Sequence, residues 1–329
     1  MRVYFLGAGA SKSLSATGNG LPLAGELTIR HLLDLSNYSY GNPDLQSAIS
    51  NLTSRISALD LDKSVEDLLP EITEDAPLYR DLRICLVSRL WLPPQWGTAE
   101  MTNWLGNVAS NKDVLITTNY DTLLERAIYQ YGAKGKPGPA RRKDIGLIGY
   151  GVPGKLLAED YQGLARNMSP NAILLLKLHG SVSWSYCENC KQAVLDPTYM
   201  GQALDVLVGS ACTRCQSALS PILVGPARKL YNHPIINSIY TAALDTLSHT
   251  TEIIFAGFSL NQSDEKIEEL LKHSHKIAQR TTVVLVDPNA ERLLARYKAI
   301  YGDAVTCHPQ KSWKAYLIAT FPPASIDHT

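Results

Sequence analysis

Six short, almost unbroken apolar runs constrain this chain most: Val3 to Leu6, Val114 to Thr117, Ile173 to Leu178, Glu252 to Ala256, Thr282 to Val286 and Ala304 to Cys307. A strand that is apolar at successive positions, rather than alternate ones, is covered on both faces, as in a parallel sheet between two layers of helices. Helical patterns separate the runs. The expected fold class is α/β, a doubly wound Rossmann-like parallel sheet of about six strands. Sheets of this kind gather ligands outside the carboxyl ends of their strands, so those ends are where chemistry is sought.

Between the first two runs, helical periodicity recurs at Leu23 to Leu35, Leu45 to Leu59, Val65 to Ile72 and Tyr79 to Leu92, and Pro93 and Pro94 close the stretch. We read residues 20–110 as a helical insertion, folded over the sheet, within one domain spanning 1–329. A second irregular stretch, Lys134 to Asp160, carries Lys134, Lys136, Arg141, Arg142 and Lys143. It reads first as a solvated loop, with a contact for a phosphate backbone or an acidic partner as the alternative. The 31 basic residues are matched by 31 acidic ones. Nothing therefore pulls the whole chain toward nucleic acid, which is expected as a partner only indirectly. No apolar run approaches the ~18 residues needed to span a bilayer, so no membrane partner is expected and the location is read as cytoplasmic.

Three motifs stand at strand ends. Gly7-Ala8-Gly9-Ala10-Ser11 follows the first run directly. Glycines there let a backbone approach a pyrophosphate, although Lys12 occupies the place of the third glycine in the dehydrogenase fingerprint, and a plain strand-to-helix turn uses the same residues. Thr117-Thr118-Asn119-Tyr120-Asp121 closes the second run, where Asn and Asp serve either a ligand or a helix cap. Lys177-Leu178-His179-Gly180-Ser181 closes the third, placing a histidine either to titrate in a cleft or to be satisfied in the core. That the amide and the imidazole converge on one edge of one sheet weighs more than either motif alone.

Cys187-Glu188-Asn189-Cys190 and Cys212-Thr213-Arg214-Cys215 form two C-x-x-C pairs separated by 21 residues. Four thiolates at this spacing suit a tetrahedral zinc with no open position, so Cys187, Cys190, Cys212 and Cys215 are read as ligands of a structural four-cysteine zinc-ribbon module over 184–220.

In this order the motifs resemble the sirtuin family. Gly7-Ala8-Gly9-Ala10-Ser11 looks like its phosphate loop, Gly20-Leu21-Pro22 like its G-I-P, Thr117 to Asp121 like T-Q-N-I-D, and His179-Gly180 like its catalytic H-G. The two cysteine pairs follow in the family's place, then Gly257-Phe258-Ser259 resembles its G-T-S turn and Leu285-Val286-Asp287 its L-I-N strand end. The resemblance implies that NAD+ is the substrate, contacted by Gly7, Ala8, Gly9, Ser11, Thr118, Gly257, Ser259 and Asp287. It implies catalytic roles for Asn119, which positions a water or a ribose hydroxyl, for His179 as general base, and for Asp121, which holds the leaving nicotinamide.

The departures from the family select among its activities. The Phe-Arg that follows G-I-P in protein deacylases is replaced by Leu23-Ala24-Gly25, and Pro226 in Val224-Gly225-Pro226-Ala227 lacks the amide that would pair with a peptide strand. The pattern is closer to the sirtuin-like NAD+ hydrolase domains of bacterial antiviral systems. It implies an NAD-depleting effector that yields nicotinamide and ADP-ribose, gated by homo-oligomerisation or by a separately encoded partner such as a HerA-like hexameric ATPase or a short prokaryotic Argonaute. The alternatives are an NAD-dependent lysine deacylase and a non-catalytic sensor of NAD or ADP-ribose.

Overall fold

The structure, a computed structural model, describes residues 1–14, 26–34, 43–56, 61–65, 76–90, 99–132, 148–151, 172–195, 211–212, 214–224, 232–261, 264–278 and 280–322. The apolar runs form the expected strands: β1 Arg2–Leu6, β2 Val114–Thr117, β4 Ile173–Lys177, β8 Glu252–Ala256, β9 Thr282–Val286 and β10 Val305–Cys307. With the two-residue edge strand β3 Ile148–Gly149 they make a seven-stranded sheet in the order β10-β9-β8-β1-β2-β4-β3. Every pairing in it is parallel. From β1 the chain adds β2, then the edge strand β3, then β4 between the two, and only afterwards lays β8 on the other side of β1. The strand order therefore reverses at β1, and the loops that follow it flank a topological switch point.

Successive residues of β1 show why the run is continuously apolar. Tyr4 meets Trp104 and Trp313 edge-on, at ring separations of 5.3 and 6.0 Å, while its neighbour Phe5 packs on Phe255 and Phe258. Adjacent strand residues point to opposite faces, so both faces of the sheet carry a core. Trp104 belongs to the helix Ala99–Asn111, whose buried residues Met101, Trp104, Leu105 and Val108 recur at helical spacing. Helices Pro234–Ser248, Glu265–Ala278, Ala290–Tyr301 and Trp313–Thr320 follow in the second half.

The insertion contains helices Ile29–Leu33, Pro43–Ile56 and Ala76–Leu90. The last of these packs on a second sheet that was not expected as such. Strands β5 Gly180–Cys187, β6 Gln192–Leu195 and β7 Ser220–Leu223 are antiparallel in the order β6-β5-β7. Tyr79 on that helix donates a 3.0 Å hydrogen bond to the Leu223 carbonyl, tying the insertion to β7. The basic stretch from Lys134 to Lys143, Gly20-Leu21-Pro22 and Gly225-Pro226-Ala227 lie outside the described residues.

Candidate active site

The loops after β1 and β2 meet through side chains. Asn119 donates through Nδ2 to the Gly7 carbonyl and to Ser11 Oγ, both at 2.9 Å. Ser11 Oγ in turn donates to Asp121 Oδ2 at 2.9 Å. The other carboxylate oxygen of Asp121 accepts from the Leu123 amide at 2.9 Å and so starts the helix Leu123–Gly132. Thr117 supports the same loop, accepting from the Asn119 amide at 3.0 Å and donating to the Leu6 carbonyl at 2.7 Å. Asn119 thus commits its amide nitrogen to the fold and presents Oδ1 as its remaining acceptor. Asp121 is a cap and an anchor for Ser11 at once.

The backbone of the glycine motif is largely self-satisfied. Gly9 donates its amide to the Gly257 carbonyl at 3.0 Å, and Ala10 donates to the Gly7 carbonyl at 3.0 Å. The first bond joins the turn after β1 to the turn after β8, and the second closes the turn after β1 on itself.

His179 stands at the end of β4, two residues beyond Lys177. It is only 6% exposed, its ring lies 6.0 Å from that of Tyr120, and its carbonyl accepts from the Val224 amide at 2.9 Å. Burial pushes the imidazole down to about 4, so it is unprotonated at neutral pH. Tyr120 links the loops again, donating from its hydroxyl to the Val224 carbonyl at 2.5 Å. Gly180 has a φ of 81°, and a Cβ there would lie 2.0 Å from the Ile222 carbonyl oxygen. The glycine after His179 is therefore what lets β5 pair with β7 so close to the imidazole.

Two residues the sequence did not single out for function underlie this arrangement. Lys177 and Glu125 form an ion pair at 2.9 Å with side chains each 1% exposed. The Lys177 ammonium also donates to the Asp121 carbonyl. The available signal was a lysine interrupting the apolar run Ile173 to Leu178, since a lysine so placed is rarely buried without a partner.

Toward β8 and β9, Gly257 has a φ of 58° and touches Gly9 and Ala10. The carbonyl of Ser259 accepts from Arg296 Nη1 at 3.3 Å. Asp287, half-buried at the end of β9, accepts from the Asn289 amide at 2.7 Å, and its carboxyl is raised by desolvation. Thr118 donates its amide to the Leu6 carbonyl at 3.4 Å, and Ala8 begins the short helix Ala8–Ser13.

Cys187, at the end of β5, gathers with Cys190, Cys212 and Cys215, all four sulfurs lying within 4.8 Å of one another. Cys187 and Cys215 are 3.4 Å apart at sulfur, Cys190 and Cys212 3.9 Å. A tetrahedral ion with metal–sulfur bonds of ~2.3 Å requires sulfur separations of roughly 3.8 Å, so the four thiols fit one such ion, whereas a disulfide would need ~2.05 Å. The same strand begins at Gly180, the residue after His179, so β5 runs from beside the histidine to the cysteine cluster.

No helix among the described residues is long and apolar enough to cross a membrane. A family model described as the SIR2-like domain matches residues 113–306, more than half of the chain. No curated protein matches the chain. Solved structures similar to it include Sir2 with a p53 peptide and NAD+, at 14% identity and a TM-score of 0.46, covering 97% of this chain and 91% of that one. Another, described as the structural basis for the mechanism and regulation of Sir2 enzymes, is 16% identical with a TM-score of 0.45 and the same coverage. A complex of Sir2 with an inhibitor, 2'-O-acetyl-ADP-ribose and a deacetylated p53 peptide is 14% identical, with a TM-score of 0.45.

Proposed function

We propose that this chain, which belongs to the SIR2-like domain family, is an enzyme that hydrolyses NAD+ to nicotinamide and ADP-ribose. The observation that carries the reading is the link Asn119–Ser11–Asp121, which sets an amide side chain at the carboxyl end of β2 beside the switch point. The family resemblance of the motifs supports the substrate, and the geometry supports the choice of site.

In the proposed reaction the bond between ribose C1′ and the pyridinium nitrogen breaks, and its electron pair neutralises that nitrogen. A water oxygen bonds to C1′ of the oxocarbenium-like species, and the water's proton passes to a base. Asn119 Oδ1 orients the water. His179 accepts the proton, which requires a neutral imidazole; burial supplies that at neutral pH. Its basicity is low for the task, so its contribution lies toward the bottom of the ~10²–10⁴-fold range of general bases or below it. Asp121, with both oxygens engaged inside the protein, holds Ser11 and through it Asn119. Asp287 accepts from ribose hydroxyls on the adenosine side.

The four cysteines are assigned to zinc, whose role is to hold β5 and β7 together. An ungated NAD+ hydrolase would deplete its own cell, so we assign the activity to an antiviral effector in the cytoplasm, released by self-assembly or by a second protein.

Nicotinamide release from NAD+, measured with and without an acetylated peptide, tests the reading. Release without peptide, lost in Asn119→Ala and reduced in His179→Ala, is expected. Release only with peptide would make the chain a deacylase, and NAD+ binding with no release would make it a sensor.

A further inference from the structure

We infer that the buried pair Lys177–Glu125 is a positioning device that locks the loop carrying Asn119 and Asp121 to the turn carrying His179. The inference rests on the NAD+ hydrolysis reading and deepens it.

Neither charge has access to water, and neither belongs to the set of groups proposed to meet substrate. Lys177 is the last residue of β4, two before His179. Its ammonium has three donors, of which one meets Glu125 Oε1 and another the backbone carbonyl of Asp121. Glu125 stands in the first turn of the helix that Asp121 caps. The same Oε1 accepts from Ser181 Oγ at 3.3 Å, two residues beyond His179. The pair therefore grips the chain on both sides of His179, and holds Asp121 by its main chain while Ser11 holds it by its carboxylate.

Stability alone does not account for the pair, because the desolvation of two buried charges offsets most of their attraction and apolar residues of equal volume would hold β4 to the helix as well. What apolar residues could not supply is direction. A buried ammonium with fixed acceptors sets the Asp121 carbonyl in one place, and through Asp121 and Ser11 it sets Asn119.

The test compares Lys177→Met, Glu125→Gln and the double variant. Each single change leaves one charge buried alone and lowers Tm; the double change removes both charges and returns Tm toward the wild type. For a positioning role, the double variant still loses ~10- to 100-fold in kcat for nicotinamide release while KM for NAD+ stays within about 3-fold. The amides of Leu123 and Val182, which bond to Asp121 Oδ1 and the Tyr120 carbonyl, exchange about ten-fold faster in it. A double variant with wild-type kcat and wild-type exchange overturns the inference. Should the wild type release no nicotinamide, the hydrolase reading fails and the exchange measurement alone decides whether the pair aligns the loops. If the double variant does not fold, Glu125→Gln is read by the same exchange, with unchanged protection at both amides counting against the inference.

Discussion

Ser11 and Asp121, 110 positions apart in sequence, are joined by a buried 2.9 Å hydrogen bond that ties the end of β1 to the end of β2. The bond closes a link that ends at Asn119, so this hydroxyl, together with the Gly7 carbonyl, sets where the amide sits. A sheet holds its strands in register, but it leaves the loops beyond their ends to side chains such as these.

Ser11→Ala removes an acceptor from Asn119 and a donor from a buried carboxylate. Hydrogen bonds to charged groups contribute about 1.5–3 kcal/mol, and urea denaturation should show a loss of that order. Nicotinamide release should fall in kcat more than in KM, because the amide is displaced rather than removed. Ser13→Ala serves as the control: its hydroxyl donates to the Ala10 carbonyl within one short helix, and its loss should cost no more than ~0.5 kcal/mol.

Gly257→Ala should be among the most damaging single changes in the chain. Its Cβ would lie 2.1 Å from the Ala10 nitrogen and 2.4 Å from the Gly9 carbonyl carbon, at a φ of 58°. Backbone atoms cannot rotate away as a side chain would. Gly302→Ala isolates the conformational part, since φ there is 63° and nothing lies within 4 Å. We expect about 1–2 kcal/mol for Gly302→Ala and clearly more, with loss of NAD+ binding, for Gly257→Ala. Equal costs in thermal unfolding would show that the two turns do not press on each other.

The large sheet was legible because burial on both faces leaves its mark on every residue: β2, β8 and β9 occupy Val114–Thr117, Glu252–Ala256 and Thr282–Val286, the bounds read from the apolar runs. The small sheet was not, although β5 alternates Ser181, Ser183 and Ser185 with Val182, Trp184 and Tyr186. Serines on one face of a strand look solvent-facing. Here all three are buried, with Ser181 bonded to Glu125 and Ser183. The helix Ala99–Asn111 falls almost wholly within the helical insertion but outside its four periodic stretches, because Asn103, Gly106 and Asn107 dilute its apolar stripe.

At the site, the spacing of motifs located Asn119, Asp121 and His179 at strand ends, as the sheet places them. What the sequence could not carry was the partnership of each group. Asp121 reads as either a ligand contact or a helix cap, and its bond to Ser11 appears only when the folded chain brings the loop after β1 to it. Lys177 reads as the polar end of a strand until Glu125 arrives from a helix far earlier in the chain. Pairings of this kind depend on register between distant segments, which no local pattern records.

His179 makes stability depend on pH with a defined sign. The unfolded imidazole titrates near 6.5, while burial holds the folded one down to about 4. Between those values the unfolded chain binds a proton that the folded chain does not. Its contribution is therefore intact above about pH 6.5 and is lost as the pH falls toward 4. The stability of the wild type relative to His179→Gln should drop by roughly 2–3 kcal/mol between about pH 7.5 and pH 4.5. Taking the difference between the two proteins cancels what carboxylates and cysteines contribute in common. A difference that does not move with pH would show that the imidazole titrates as though exposed.

Metal removal tests how far the cysteine cluster and the site are one structure. Cys187 ends β5 and Gly180 begins it, so the strand that carries a candidate ligand starts beside His179. Chelation should release one zinc per chain, expose the buried Trp184 to solvent and lower Tm, because so small a three-stranded sheet buries little without the ion that ties its ends. Nicotinamide release should decline in step with Trp184 emission, and zinc or cobalt should restore both together. Four thiolates would fill a tetrahedral ion and leave no position for water, so the zinc assignment gives the metal no direct part in the proposed bond cleavage. Activity that vanishes on chelation while Trp184 emission stays constant would contradict that assignment and place the ion in the chemistry itself.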